Sequence, residues 1–273
     1  MTKYLNNNIR QTKKCIILLI MLMFSLFSGQ NIVAASLLEQ ADSAYNSKDY
    51  RGALSLYNTV LEKNGTSSEL QNNIGNSHFR VGNNGRAIVA YERALRLDPS
   101  NKDARDNLRF VKSRIKGLPE DGSSFLSNVQ DNIISMASPN TWAVLSFTLF
   151  LMLLGCASLY LFTSAPRLRK IGFFGGIVVF IFFIYFFIIS WQTASAIKDH
   201  NTGIIVTQNA RIQSSPGTSK DSATKTIAIP EGAKVQILDS LATPDDAATA
   251  LWYNIDLNNN TEAWIDASDI EKI

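Results

Sequence analysis

The sequence predicts a multidomain membrane protein: an all-α repeat solenoid, a two-helix transmembrane hairpin and a small all-β barrel. Apolar residues crowd into three blocks that begin near Cys15, Trp142 and Ile171. The polar stretch before the second block matches itself at an offset of 34 residues, and the chain beyond His200 breaks into short β-rich runs between turn-rich segments. Over 273 residues the formal net charge is only +3, and neither polar part holds a run of Lys and Arg with interleaved aromatics, which argues against a nucleic-acid partner. Both cysteines, Cys15 and Cys156, fall inside apolar blocks, so the polar parts carry no thiol for a disulfide, a metal site or a nucleophile.

The first block follows Lys3, Arg10, Lys13 and Lys14, runs over 15–27, and gives way to Ser28, Gly29, Gln30 and then Val33-Ala34-Ala35-Ser36. A basic lead, a short apolar run and small residues at Val33 and Ala35 have the layout of a signal peptide over 1–35, cleaved near Ala35. An uncleaved anchor would export the following domain equally, because the basic flank stays inside.

The second and third blocks, 142–162 and 171–191, each hold about 20 residues without a charge, enough to cross ~30 Å of hydrocarbon. Between them the loop 163–170 carries Arg167, Arg169 and Lys170, whereas no Lys or Arg occurs from Gly117 to Pro166 or from Ile171 until Lys198. By the positive-inside rule that loop is cytoplasmic, which leaves both flanks outside and puts Trp142 and Trp191 at the outer interface. Neither span carries an acidic or basic residue of the kind that marks ion pathways, so the hairpin reads as an anchor. Gly172 and Gly176 form a small-xxx-small pair that suits close helix approach.

From 36 to 117 the pattern is helical, and the 34-residue offset aligns Ala53 with Ala87, Tyr57 with Tyr91 and Leu61 with Leu95. That period identifies tetratricopeptide repeats, over about 34–67 and 68–101. In the second copy Ile74-Gly75 opens the first helix, Gly82 turns the chain, Ala87, Tyr91, Ala94 and Leu95 pack the second helix, and Pro99 ends the repeat. The first copy is degenerate, with Ala41, Val60 and Gly65 where glycine, alanine and proline are expected. A further helix over 101–116, with Leu108 and Val111 on one face, reads as a solvating cap. The first helix of each repeat lines a concave surface, which places Asp42, Tyr45, Asn72, Asn73, Asn76, Phe79 and Arg80 near Lys102, Arg105 and Arg109. Amides that bond a peptide backbone beside cations that hold carboxylates would suit an extended acidic peptide or a chain end; a solvated helix face is the plainer reading. The segment 118–140, with Phe125, Val129, Ile133 and Met136 at helical spacing before Pro139, reads as an interfacial helix or a simple linker.

Beyond 203 the runs 203–207, 226–229, 233–239, 251–257 and 262–265 have strand texture. Their order, with Ala210-Arg211-Ile212-Gln213-Ser214-Ser215-Pro216, Ile229-Pro230-Glu231-Gly232-Ala233-Lys234-Val235, Trp252-Tyr253-Asn254-Ile255 and Glu262-Ala263-Trp264-Ile265, resembles the bacterial SH3-like fold over 203–273. Some members of that fold bind cell-wall peptides or glycans. Trp252, Tyr253 and Trp264 are the candidate ligand face, with core or rim packing as the alternative.

No catalytic constellation stands out. His78 sits in a repeat helix where tyrosine is usual, His200 in a juxtamembrane segment, and Asp245-Asp246 among turn residues. Phosphate loops, the His-Glu-x-x-His pattern and nucleophile elbows are absent, so no enzyme activity, cofactor or metal is expected. Taken in order, the signal peptide, the repeats, the cap Asp106-Asn107-Leu108-Arg109-Phe110-Val111, the hairpin and the terminal barrel resemble the BatE proteins of the Bacteroides aerotolerance operon along the whole chain. The resemblance implies an inner-membrane scaffold beside membrane-anchored von Willebrand factor A proteins and a MoxR-type AAA+ ATPase, serving envelope integrity and tolerance of oxidative stress. Two readings follow: a periplasmic adaptor whose repeats bind partner proteins, and a cell-wall sensor whose barrel binds peptidoglycan fragments.

Overall fold

The computed structural model describes residues 31–118, 125–197, 201–208, 210–214, 227–243, 250–256 and 262–273. Residues 1–30 of the predicted signal peptide, His200 and Asp245-Asp246 lie outside that set. The chain divides into two compact units at Gly65 and Thr66.

The first unit is a helical hairpin. Helices α1 (Asn31–Asn46) and α2 (Tyr50–Asn64) join through a turn in which Lys48 takes φ 69°. The Asp49 side chain accepts from the Gly52 amide at 2.9 Å and so caps α2. Ala41 and Ala53, both fully buried, let the two helices approach closely, and the Tyr57 hydroxyl donates to Asp42 Oδ1 at 2.6 Å. Gly65 closes α2 at φ 81°, a left-handed position that suits glycine, so the helix stops without the expected proline.

The second unit begins with three helices: α3 (Ser68–Arg80), α4 (Asn84–Leu97) and α5 (Lys102–Arg114). Ser67 caps α3 by accepting from the Leu70 amide at 3.1 Å, so α3 begins six residues ahead of the expected Ile74 start and Gly75 falls mid-helix. There Gly75 serves packing: a Cβ would lie 2.6 Å from the Tyr91 ring. Gly82 turns the chain at φ 88°, and Asn101 caps α5 through the Ala104 amide at 3.0 Å.

Helix α6 (Phe125–Ile134) precedes two long apolar helices, α7 (Pro139–Phe162) and α8 (Pro166–Ala196). Pro139, expected to break a run, opens α7, since a first-turn proline sacrifices no helical hydrogen bond. Pro166 does the same for α8, so Arg167, Arg169 and Lys170 lie in its first turns and the connection shrinks to 163–165. Gly172 marks a close approach of the two helices: a Cβ there would lie 2.8 Å from the Cys156 carbonyl oxygen and 2.9 Å from the Tyr160 nitrogen. The small-xxx-small pair thus serves the hairpin itself. Trp142 is buried, stacks on Phe186 with centroids 5.5 Å apart and donates to the Ile134 carbonyl, whereas Trp191 is 67% exposed.

Among the described residues the C-terminal part forms seven strands: β1 (Thr202–Ile205), β2 (Ala210–Ile212), β3 (Ile227–Ile229), β4 (Lys234–Thr243), β5 (Ala250–Asp256), β6 (Glu262–Asp266) and β7 (Ile270–Lys272). Five make an antiparallel sheet in the order β6-β5-β4-β1-β7, and β2 pairs with β3. Gln213 and Trp264 exchange main-chain hydrogen bonds, bringing β2 beside β6. Strands β2 and β7 were not among the expected runs; Asp266 caps the short helical turn 267–269 before β7. Ile205, Ile212, Val235, Ile237, Ile255, Ile265 and Ile270 fill the sheet's interior.

A second core joins helices to sheet. Ala87, Ile88, Val89 and Tyr91 of α4 and Leu108 and Val111 of α5 enclose Ile204 of β1 and Ile273. Alternation along β1 explains this: Ile205 points into the sheet's interior and Ile204, 0% exposed, points out against α4. Each such aliphatic side chain contributes about 1.5–3 kcal/mol on burial.

Candidate partner-binding surfaces

Helix phase decides what lines the surface between α3 and α5. At 100° per residue, Asn72, Asn76 and Phe79 share one face of α3, while Asn107, Phe110 and Arg114 share one flank of α5. The Asn107 amide donates to Asn72 Oδ1 at 3.1 Å and to Asn76 Oδ1 at 3.0 Å, and Asn76 Oδ1 also accepts from the Tyr91 hydroxyl at 2.8 Å. Phe79 and Phe110 meet edge to face with centroids 5.6 Å apart, and the Arg114 guanidinium lies 4.4 Å over Phe110 and 5.7 Å from Phe79. Phe110 stays 47% exposed. The result is an exposed aromatic and cationic platform on a fixed polar base.

This arrangement corrects the predicted groove. Asn72 and Asn76 hold the helices together and present no spare acceptor surface, since Asn72 is buried and both side-chain oxygens are already bonded. Asn73 is half-buried and Arg80 exposed at the outer edge of α3. Lys102 and Arg109 are exposed, with Arg109 paired to Asp106 at 3.2 Å. Arg105 lies on the same flank of α5 as Lys102 and Arg109, opposite Asn107; it bonds the Pro99 carbonyl and lines a cleft of about 650 Å³ with Arg96, Asp131, Gln192 and Lys234. Tyr45 belongs to the first unit, edge to face with Tyr50 at 5.3 Å. Asp42, on the same helix, is committed to Tyr57. Phe110 and Arg114 complete this platform and lay outside the expected groove; the signal was their spacing of three and seven residues from Asn107.

The sheet divides the three aromatic residues proposed as one ligand face. Trp264 pairs with Asn254, and Trp252 with Asp266, so both indoles project from the outer surface, diagonal to each other. Tyr253 pairs with Ile265 on the inner surface and packs against the core, with the Lys272 ammonium 4.7 Å over its ring. One-residue alternation along β5 forces that separation.

Charge stitches α4 to the sheet. The first turn of α4 has no side-chain cap from Asn83; the Glu231 carboxylate, 9% exposed, accepts from the Gly85 amide at 2.5 Å instead. An anion there also meets the positive end of the helix dipole. Arg93 pairs with Glu271 at 2.8 Å, and Arg96 donates to the main-chain oxygen of Ile273. Glu92 bridges Lys112 at 3.0 Å and Lys234 at 3.2 Å. Burial pushes its carboxyl up, but the two ammonium groups outweigh burial and hold it below the usual carboxylate range. His78 is held below the ordinary imidazole range by burial and then by Arg86, with Glu271 opposing, so it is neutral at pH 7. Among the described residues no group of three or more His, Cys, Asp or Glu side chains is placed to hold a metal ion.

Residues 68–101 match the tetratricopeptide-repeat family, which covers α3, α4 and the turn into α5. A search of curated proteins finds no match to the chain. Tetratricopeptide repeats generally mediate protein–protein interaction, and this one places its first helix, α3, beside α5, so that exposed Phe110 and Arg114 meet half-buried Phe79 in one platform.

Proposed function

We propose that the chain is a non-enzymatic membrane scaffold: its repeats bind partner proteins, α7 and α8 span a bacterial inner membrane as a hairpin, and its C-terminal sheet is an SH3-like barrel. The observation that supports this most is the packing of α4 against β1 and β7. Residues on either side of the hairpin share one core, through Ile88, Ile204 and Ile273, and such a core forms only if both flanks emerge on the same membrane face. Two crossings satisfy that requirement. The basic first turn of α8, with Arg169 4.9 Å over Tyr160, would then mark the cytoplasmic end, with both folded parts in the periplasm. The whole-chain resemblance to BatE proteins makes von Willebrand factor A membrane proteins the partners we would look for, in an aerotolerance and envelope-stress setting.

Crosslinking in intact native membranes followed by affinity purification tests the adaptor role. Deleting the repeats would expose Ile204 and Ile273 and damage the sheet, so point variants are the right probe. Phe110→Glu, at an exposed position, should abolish recovery of the partner, and Arg105→Ala on the opposite flank should preserve it. Recovery unchanged by Phe110→Glu would refute the platform as the binding surface, and measured turnover by the purified protein would overturn the non-enzymatic reading.

A further inference from the structure

We propose that the outer face of β4, β5 and β6 is a second docking surface, one that takes a basic polypeptide segment through its Lys or Arg side chains. Strand register puts three rows of side chains on this face: Gln236, Asp256 and Glu262; Asp239, Asn254 and Trp264; and Leu241, Trp252 and Asp266. Four are carboxylates, two are indoles and none is a cation. In sequence these acids are scattered over three strands, and only the register collects them.

Several features favour a cationic occupant. Asp256 stands directly opposite Glu262, a like-charge cross-strand pair that lowers sheet stability unless a cation sits between. Asn254 Oδ1 and Asp256 Oδ1 are buried acceptors without hydrogen-bond partners, although Asn254 donates to Glu262 at 3.2 Å. Arg211, on β2 beside β6, makes no ion pair with any of these acids among the described residues. The half-buried indoles supply faces on which ammonium or guanidinium groups stack, about 7–8 Å apart as diagonal neighbours. The same outer surface continues into the seam with α4, where the acid–base pattern is already completed: Lys234 meets Glu92 and Glu271 meets Arg93. The chain as a whole carries +3, so a polycation is drawn to this patch and not to the molecule at large.

The test uses the full chain in nanodiscs of neutral phosphatidylcholine and isothermal titration with hexalysine amide, with hexaglutamate and uncharged cell-wall muropeptides as comparison ligands. Hexalysine should bind, weaken with added salt, and lose at least tenfold in affinity in the isosteric double variant Asp239→Asn, Glu262→Gln and in Trp252→Ala, with circular dichroism unchanged. The isosteric pair keeps the test decisive should Trp252→Ala fail to fold. Equal hexalysine affinity in the double variant would overturn the proposal, as would equal binding of hexaglutamate. Muropeptide binding lost with Trp252→Ala while hexalysine stays inert would overturn it in favour of the wall-sensor reading.

Discussion

Gly85→Ala separates the helix's own preference from the demands of the seam. In an isolated helix this change is favourable by up to about 1 kcal/mol, because alanine is the better helix former. Here an added Cβ would lie 2.7 Å from Val206 Cα, 2.8 Å from the Ile205 carbonyl oxygen and 2.9 Å from Glu231 Cγ. Neither backbone atom is free to yield, since Ile205 accepts from the Gly232 amide at 2.7 Å and the Val206 amide donates to Asp269 at 2.9 Å. The sheet must retreat by about 1 Å to restore ordinary carbon contacts of ~3.5–4.0 Å. Overpacking costs about 1–3 kcal/mol, and the lost charged hydrogen bond from Gly85 to Glu231 about 1.5–3. Against the helical gain, the net destabilisation of docking is about 1.5–5 kcal/mol, or roughly 10- to 4,000-fold in the opening equilibrium. Hydrogen exchange read by mass spectrometry over the first turn of α4 measures this directly, and urea unfolding gives the midpoint. Unchanged protection, or a raised midpoint, would show that α4 and the sheet are not held at Gly85 and would refute the docked arrangement.

Glu92→Gln should destabilise the seam by about 1–3 kcal/mol at neutral pH, the lower end reflecting the exposure of Lys234. Because its folded carboxyl lies below the unfolded value of ~4.3, its contribution is complete above that pH and disappears as pH falls through the folded value; denaturation at stepped pH should show wild type and variant converging in acid. Asn107→Ala should cost about 1–3 kcal/mol by stripping Asn72 of its donor and Asn76 of one of two, and thermal unfolding would read it. Gly172→Ala places a methyl group against the α7 backbone and should weaken the hairpin by about 1–3 kcal/mol, seen as a lower midpoint when the protein is unfolded with increasing dodecyl sulfate.

What could be read from the residues alone was whatever repeats or ripens locally. The 34-residue spacing led to the copy at 68–101 that the family comparison matches, because Gly75, Ala87 and Tyr91 meet within one helical pair. Length and lack of charge likewise announced two long apolar helices, and β-rich runs announced a small antiparallel sheet. Side-chain direction was harder. Listing Lys102, Arg105 and Arg109 with the α3 residues overlooked helix phase, because their shared face of α5 lies opposite Asn107, the side chain that meets α3; grouping Tyr253 with the two tryptophans ignored strand alternation. Tertiary structure alone decided the seam of Gly85 with Glu231 and of Glu92 with Lys234, and the gathering of Asp239, Asp256, Glu262 and Asp266 on one face. Those pairings join residues up to 146 positions apart, and no local propensity encodes which distant side chain will complete a helix end or face a carboxylate across a sheet.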